Sequence, residues 1–317
     1  MSKQLEVGLI GVGKMGKNHL RVLSMLNGVR VAFVHDPSAE AEAQAARSYG
    51  VPAARDLEAA MAKVDALIIA SPTFTHIDYI KRAAGRVSTL LVEKPLAGTL
   101  AESEEVHRIA KQHGTRIQVG FIERFNPAVQ VLKRMLDESP HVVSVDLTRT
   151  NKVSSRITDV DVVIDLMIHD IDLALHFNGP VAGVSAHGSR HGDMIDFASA
   201  MLTHENGRFT RIQASRITEK KMRMIQATCM DMFIDCDLLR KEIQINRQSV
   251  VSQKEGEPYV ISAQTESVEV RPQEALLSEL QAFIAFAKGG PAERVPTHVD
   301  GLAAMRVCDQ IRHEVLS

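Results

Sequence analysis

Cysteine and aromatic residues are scarce in this sequence, and tryptophan is absent. The three cysteines, Cys229, Cys236 and Cys308, are odd in number and have no C-x-x-C spacing. This argues against a disulfide scaffold or a zinc site and favours reduced thiols in a cytosol. Only 4% of the residues are aromatic, so a surface that stacks nucleic-acid bases is not expected. The formal net charge of -2 gives no reason to expect a nucleic-acid or membrane surface.

Long apolar runs are also missing. None approaches the ~20 residues that a transmembrane helix needs, and the start, MSKQLEVGLIGVG, lacks the apolar core and cleavage site of a signal peptide. These absences predict a cytoplasmic protein. The chain has 317 residues, of which 45% are apolar and 24% charged, which is enough for two domains with ample cores.

The first part of the chain alternates short apolar strands with helical segments. The expected strands are LEVGLIGVG, VRVAFVHDP, DALIIAS, STLLVEKP and TRIQVGF. Because these strands are continuously apolar, the pattern predicts a parallel sheet with both faces covered. The fold class is therefore α/β, with an N-terminal Rossmann dinucleotide-binding domain over residues 1–121.

The pattern changes beyond residue 121. Alternating segments such as HVVSVDLTRT follow, and HENG between two of them is a hairpin signal. Residues 122–317 are predicted to form a C-terminal α+β domain with an open, mostly antiparallel sheet, in which EALLSELQAFIAFAKGG and HVDGLAAMRVCDQIRHEVL are helices. One face of that sheet has no obvious cover within the chain, so we expect a homodimer or a homotetramer.

A glycine motif, GVGKMG, follows the first strand and opens the first helix. In this context Gly11, Gly13 and Gly16 predict a tight turn that a pyrophosphate approaches closely, with the helix start at Lys14 and Met15 offering N–H groups to the anion. The alternative is a tight turn with no ligand.

Asp36 ends the second strand, about 20 residues after the motif, where an acidic group typically binds the ribose hydroxyls. Its carboxylate would repel a 2′-phosphate, so NAD is favoured over NADP. The alternative is an aspartate that caps the next helix. Ser71, Thr73 and His76 follow another strand and are expected over the bound cofactor, although Thr73 would serve equally well as a helix N-cap.

Glu93-Lys94-Pro95 ends a buried strand, and Glu93 and Lys94 are predicted at the cofactor site. An ammonium at the carboxyl end of a central strand can donate to a substrate hydroxyl and stabilise the alkoxide that develops as hydride leaves. The alternative for Lys94 is a surface lysine at a strand end. His19, after the glycine loop, is assigned a structural role.

The apolar run VIDLMIHDIDLAL carries four ionisable groups. At α-helical spacing Asp165, His169, Asp172 and His176 share one face, and Asp170 is turned toward another surface. We predict His169 as the base, Lys94 as the group that stabilises the alkoxide and Asp165 as a substrate-orienting group. The exchanged roles, with Lys94 taking the proton, are the alternative. The alternatives are a divalent metal site, which no third ligand supports, and a polar network without chemistry.

The glycine motif, Glu93-Lys94-Pro95 and the D-x-x-x-H pair of Asp165 and His169 together resemble the Gfo/Idh/MocA oxidoreductases, over nearly the whole chain. The resemblance implies a two-domain NAD(P)-dependent dehydrogenase of a sugar, cyclitol or nucleotide sugar. It places Lys94 and His169 at the catalytic positions and requires no metal.

Within that family, GFIERFNPA and RTNKVSSRITDVDVVIDLMIHDIDL are most similar to the enzymes that oxidise the 3-hydroxyl of UDP-N-acetylglucosamine with NAD. The resemblance implies a downstream aminotransferase partner and a place in lipid A biosynthesis. This helix lacks the glycine-rich stretch that many members have before the aspartate, so free sugar or cyclitol dehydrogenases and a non-catalytic NAD-sensing regulator remain alternatives.

A diphosphate substrate requires cationic partners. The candidates are Arg124, Lys152 and Arg156, with a second basic group of Arg216, Lys220, Lys221 and Arg223, and Asn126 is a candidate contact to the sugar. Solvated surface charge is the alternative for each cation.

Overall fold

The computed structural model describes residues 4–139, 141–152, 160–192, 194–252 and 260–317. It divides into two compact units. The first comprises Met1–Phe125 with Glu274–Arg306, and the second comprises Asn126–Gln273 with Val307–Ser317. The predicted division after residue 121 thus lies four residues before the observed one, and Glu274–Arg306, predicted in the second domain, groups with the first.

The first unit is built on a parallel sheet, as predicted. Its strands are β1 (Leu5–Ile10), β2 (Val29–His35), β3 (Ala66–Ile69), β4 (Thr89–Glu93) and β5 (Arg116–Gly120), in the order β2-β1-β3-β4-β5. The helices between them are α1 (Lys14–Leu23), α2 (Ala39–Tyr49), α3 (Leu57–Met61), α4 (His76–Ala83) and α5 (Leu100–His113).

Local capping chemistry fixes the helix ends. Gly50 adopts φ +64° and ends α2, and the Asp56 carboxylate accepts the Ala59 N–H at 3.1 Å to begin α3. Thr99 and Glu102 form a reciprocal capping box at the start of α5.

Helix α8 (Ala275–Ala287) explains why the C-terminal segment joins the first unit. Its Leu276, Leu280 and Phe283 pack in the same buried cluster as Leu9 of β1 and Ile68 of β3. An apolar helix face does not specify which sheet it covers, so the sequence predicted the helix but not its partner.

The second unit contains an eight-stranded sheet. Its strands are β6 (Val142–Thr150), β7 (Val181–His191), β8 (Met194–His204), β9 (Phe209–Ser215), β10 (Met222–Cys229), β11 (Met232–Asp237), β12 (Glu242–Ser252) and β13 (Val260–Val268). The order is β13-β12-β11-β10-β6-β9-β8-β7, and β6 and β9 are parallel while the other described pairs are antiparallel. The mostly antiparallel sheet and the HENG hairpin between β8 and β9 are confirmed.

The remaining helices are α6 (Pro127–Glu138), which the sequence analysis did not predict, α7 (Ile168–Asn178) and α9 (His298–Leu316). One π-helical turn, Val163–Met167, leads into α7, and α7 packs on β6 and β9. Among the described residues, no helix combines the length and the apolar character that crossing a membrane requires.

Candidate functional site

The glycine loop between β1 and α1 is shaped by two close approaches. Gly11 has φ +88°, and a Cβ on it would lie 2.5 Å from the Ser71 nitrogen. A Cβ on Gly16 would collide with the Gly11 carbonyl oxygen. By contrast, Gly13 is exposed, and a Cβ there would meet no atom within 4 Å. Packing therefore requires Gly11 and Gly16, whereas Gly13 leaves room for a ligand.

The start of α1 presents an anion site beside that room. Gly13 is the N-cap and makes no side-chain capping bond, and the first turn has no acidic residue. The first N–H groups of a helix lack intrahelical acceptors and favour an anion. The loop thus fits NAD, whose pyrophosphate would be held by Gly13 and by the backbone of Lys14 and Met15. When bound, NAD supplies the hydride acceptor.

Asp36 links the glycine loop to α2. Its carboxylate accepts the Val12 N–H and the Ser38 N–H, each at 2.9 Å. The N-cap of α2 is Ser38, whose hydroxyl accepts the Ala41 N–H, so Asp36 is not itself the cap. A carboxylate has about four acceptor positions, so Asp36 retains capacity for the ribose hydroxyls.

Changing Asp36 to alanine is expected to narrow the preference for NAD over NADP by about tenfold. The reason is the loss of a negative charge that repels a 2′-phosphate with an energy of at least ~1 kcal/mol. The measurement is kcat/KM for each cofactor, with Asp309→Ala on the exposed face of α9 as the matched control. An unchanged ratio would mean that Asp36 does not contact the ribose.

Ser71, Thr73 and His76 follow β3 as predicted, but their side chains differ in burial and in hydrogen-bond partners. Thr73 is half-buried and begins a short 3-10 turn, Thr73–Thr75, and its side chain does not cap α4. The Ser71 hydroxyl bonds that of Thr75 at 2.7 Å. Thr73 is therefore not the helix N-cap that we considered as its alternative role.

His76 is 1% exposed, and its two ring nitrogens each lie 3.0 Å from a backbone carbonyl oxygen, of Pro95 and of Ser71. Burial lowers the pKa of this imidazole. The ring therefore braces the Ser71 turn against the Pro95 turn instead of presenting a nitrogen to the cofactor. The predicted cofactor contact of His76 is corrected to a positioning role.

The Glu93-Lys94-Pro95 turn lies at the carboxyl end of β4, a strand flanked by β3 and β5. Lys94 is half-buried, and its peptide bond to Pro95 is cis. The Glu93 carboxylate lies 2.7 Å from Nε2 of the fully buried His19. One carboxylate oxygen of Glu93 is thus engaged inside the protein by His19, and the predicted contact of Glu93 with the cofactor stays a prediction.

In the second unit, the charged helix begins at a residue that the sequence analysis overlooked. The Asp161 carboxylate accepts the N–H groups of Val163 and Ile164 and also the Nε–H of Arg312, at 2.7 Å. An aspartate directly before an apolar helical run is an N-cap signal, so the DVVID pattern could have revealed it. Asp161 fixes the turn that carries Asp165.

The four side chains predicted to share one helix face are not equally buried. Asp165, His169 and His176 are half-buried, whereas Asp172 is only 1% exposed. A π-helical turn has more residues than an α-helical one, so the α-helical spacing assumed for Asp165 does not apply there. Asp165 and His169 remain the two groups near the helix start that are partly accessible.

Asp170, which we predicted to be turned toward another surface, forms a buried bidentate pair with Arg149 of β6. Both carboxylate oxygens lie 2.8 Å from the Arg149 guanidinium, and both residues are 2% exposed. A buried carboxylate is tolerated because it is paired and hydrogen-bonded, and this accounts for one of the charges in the apolar run.

The predicted substrate residues are placed differently from one another. In the first unit Arg124 pairs with Asp300 at 3.0 Å. In the second unit Asn126 caps α6 and donates to the Leu238 carbonyl at 3.3 Å, so its amide is used within the protein. Lys152 forms an exposed ion pair with Glu219, and Arg156 lies outside the described residues.

The members of the second basic group also differ in their exposure. Arg216 is 6% exposed and pairs with Asp196 and the Val160 carbonyl, so it is not a surface phosphate contact, whereas Lys220 and Lys221 are exposed. Within the part of the chain that the structure describes, no three His, Cys, Asp or Glu side chains are grouped as a metal site.

Comparison with known proteins follows the same division of the chain. A model described as the Gfo/Idh/MocA oxidoreductase family, NAD-binding Rossmann fold, matches residues 5–121, and one described as the GFO/IDH/MocA C-terminal domain matches residues 135–231. The two matches together span more than half of the sequence.

Individual relatives span nearly the full length. The UDP-N-acetylglucosamine 3-dehydrogenase of Acidithiobacillus ferrooxidans is 28% identical over 96% of this chain and 94% of its own. Its solved structure, GnnA, has a TM-score of 0.86 and covers 98% of each chain. An inositol 2-dehydrogenase of Rhizobium meliloti is 27% identical over 95% of this chain and 94% of its own.

The glycine loop that fits a dinucleotide and the matches in both halves of the chain agree with each other. The chain belongs to the Gfo/Idh/MocA oxidoreductase family and is an NAD-dependent oxidoreductase.

Proposed function

We propose that this protein oxidises the 3-hydroxyl of UDP-N-acetylglucosamine with NAD and releases the 3-keto nucleotide sugar. The observation that carries the proposal is the similarity to the A. ferrooxidans enzyme, which runs through 96% of the chain and extends to the fold with a TM-score of 0.86. Dehydrogenation of a free cyclitol is the second candidate, because an inositol 2-dehydrogenase matches over a similar length.

In the proposed chemistry His169 accepts the hydroxyl proton, and Lys94 donates a hydrogen bond to the same oxygen and stabilises the developing alkoxide. Asp165 orients the sugar through a neighbouring hydroxyl. The half-buried state of all three side chains supports these roles, since each retains some accessible surface in a largely desolvated setting.

The charge on the diphosphate is proposed to be met by flexible surface cations. The exposed Lys152, Lys220 and Lys221 fit this role better than Arg216, which is buried in an ion pair. Arg124, which pairs with Asp300, and Arg156 remain candidates from the sequence.

We further propose that the enzyme is cytoplasmic and forms a homodimer or a homotetramer. A 3-keto sugar is a substrate for transamination, so an aminotransferase is the proposed next enzyme, in the route to lipid A with amide-linked chains.

The test is a substrate panel followed by nicotinamide absorbance. Enzyme, NAD and UDP-N-acetylglucosamine are mixed, and an aminotransferase with glutamate removes the ketone. We expect NADH to form with the nucleotide sugar and not with free N-acetylglucosamine or inositol. NADH formation with inositol alone would replace the proposal by the cyclitol function. No turnover with any member of the panel would contradict both.

A further inference from the structure

Glu279 is a buried carboxyl group for which the chemistry above has no use. It lies on α8 beside Leu276, Leu280 and Phe283, which pack in the core of the first unit. Glu279 is 0% exposed, and neither of its carboxyl oxygens has a hydrogen-bond partner. An ionised carboxylate in this setting is very costly. Burial, and then the charge of Glu93, raise the pKa of Glu279 well above its ordinary value, so the folded protein favours the neutral form of this carboxyl group.

The sheet face that packs against α8 carries a second polar side chain without a hydrogen-bond partner, Gln118. Leu9, Ile68, Leu91 and Gln118 are register partners across β1, β3, β4 and β5 and therefore form one row on one face. Gln118 is 0% exposed, and neither its amide nitrogen nor its amide oxygen has a partner. Unpaired polar atoms on two facing elements indicate a buried water, which needs two to four polar partners.

Glu93 lies on the same face, two residues beyond Leu91, in register with Gly120. A Cβ on Gly120 would lie 2.8 Å from a Glu93 carboxylate oxygen, so the absence of a side chain there makes space for this carboxylate. The other Glu93 oxygen is held by His19 of α1 at 2.7 Å. The polar groups thus come from α1, β4, β5 and α8, and β4 is the strand that leads directly into Lys94.

Of the charged groups near α8, Glu93 is the one that fits as the hydrogen-bond acceptor for a protonated Glu279. Helix α1 contributes His19 and β4 contributes Glu93. Strand β5 contributes the neutral Gln118 and also Arg116, whose guanidinium donates to the Phe286 carbonyl of α8 at 2.7 Å and lies over the Phe286 ring. The turn Ala292–Arg294 also packs on α8 and brings Glu293 and Arg294, which are both exposed. The turn Ile122–Phe125 also packs on α8 and brings Glu123 and Arg124, of which Arg124 is paired with Asp300. Among the described residues, Glu93 is the charged group that raises the pKa of Glu279.

We propose that Glu279 is a positioning residue for the Lys94 turn. Its neutral carboxyl group donates a hydrogen bond, bridged by a buried water that Gln118 also holds, to Glu93. Glu93 is thereby fixed against His19, and the helix that begins at the pyrophosphate loop is tied to the strand that ends in Lys94. The rate arm of the test rests on the proposed function, but the spectroscopic and stability arms do not.

The first experiment asks whether Glu279 is protonated. Infrared spectra of the wild type and of Glu279→Gln are compared at pH 7, since glutamine keeps the size and a hydrogen-bond donor. We expect the carbonyl band of a neutral carboxylic acid in the wild type and its loss in the variant. Coincident spectra in that region would overturn the proposal.

The stability of the same two proteins should separate with pH. The pKa of Glu279 is raised in the folded state, so the unfolded chain loses this proton first as the pH rises above its ordinary value of 4.5. The denaturant midpoint of the wild type should therefore fall relative to that of Glu279→Gln as the pH rises above 4.5. Parallel curves would contradict a neutral buried acid.

The second experiment separates positioning from packing. Glu279→Leu supplies an apolar side chain of similar size without a donor. We expect kcat to fall about tenfold in Glu279→Leu with KM for NAD within about twofold, and kcat to stay within about twofold in Glu279→Gln. Full activity of the leucine variant would assign Glu279 to packing alone and overturn the proposal. If the leucine variant does not fold, the spectra and the glutamine variant still decide. If the wild type itself oxidises no sugar, the proposed function fails, and the infrared result stands independently.

Discussion

Lys94→Ala is expected to lower turnover by about a hundredfold to ten-thousandfold while leaving NAD affinity within about twofold. A positioned donor that stabilises the developing alkoxide contributes on this scale. The cofactor phosphates are predicted at the Gly11–Gly16 loop, so their binding does not require the lysine. Single-turnover absorbance at saturating substrate measures the rate, and isothermal titration calorimetry measures NAD affinity.

His169→Ala should produce a comparable loss, because the hydroxyl proton then has no positioned acceptor. The matched controls are Lys63→Ala and His313→Ala, which make the same two changes at exposed positions, and both should retain wild-type turnover. Undiminished turnover in Lys94→Ala and His169→Ala would remove the proposed mechanism. A non-catalytic NAD-sensing regulator would show no turnover in the wild type, and its function would tolerate the loss of Lys94 or His169.

The fold was predictable where the signal is local. Apolar runs ending in glycine or a polar turn predicted β1 to β5, and the alternation with helices predicted their parallel pairing. The glycine loop was predictable for the same reason, since its turn, its close approaches and the helix start all fall within Gly11–Gly16. The assignment of α8 failed because its apolar face is compatible with either sheet.

The site could not be predicted where the hydrogen-bond partner of a side chain is distant in sequence. His19 and Glu93 are 74 positions apart, and Arg149 and Asp170 are 21 apart. Sequence spacing places Glu93 and Asp170 on strands and helices but does not reveal the buried partner that holds each. His76 was misassigned on the same ground, because the Pro95 carbonyl that it contacts comes from another turn.

Asp170→Ala is expected to destabilise the protein by ~3–5 kcal/mol. The change leaves the Arg149 guanidinium buried without its bidentate carboxylate, and breaking one partner of a buried pair typically costs this much. Urea unfolding followed by circular dichroism measures the loss. The matched control is Asp146→Ala, which lies on β6, the strand of Arg149. Its partner, Arg211, is 62% exposed, so this change should cost less than ~1 kcal/mol of stability.

The double variant Arg149→Met/Asp170→Leu distinguishes a stabilising pair from a merely tolerated one. Removing both charges eliminates the desolvation penalty together with the attraction, so most of the stability lost in Asp170→Ala should return. A loss below ~1 kcal/mol in Asp170→Ala would mean that water or another group solvates Arg149, and the pair would not explain why an aspartate is present in this apolar run. Recovery in the double variant would show that Asp170 is tolerated in this apolar run because it is paired with Arg149, which removes Asp170 from the candidates for chemistry and leaves the half-buried Asp165 and His169 among them.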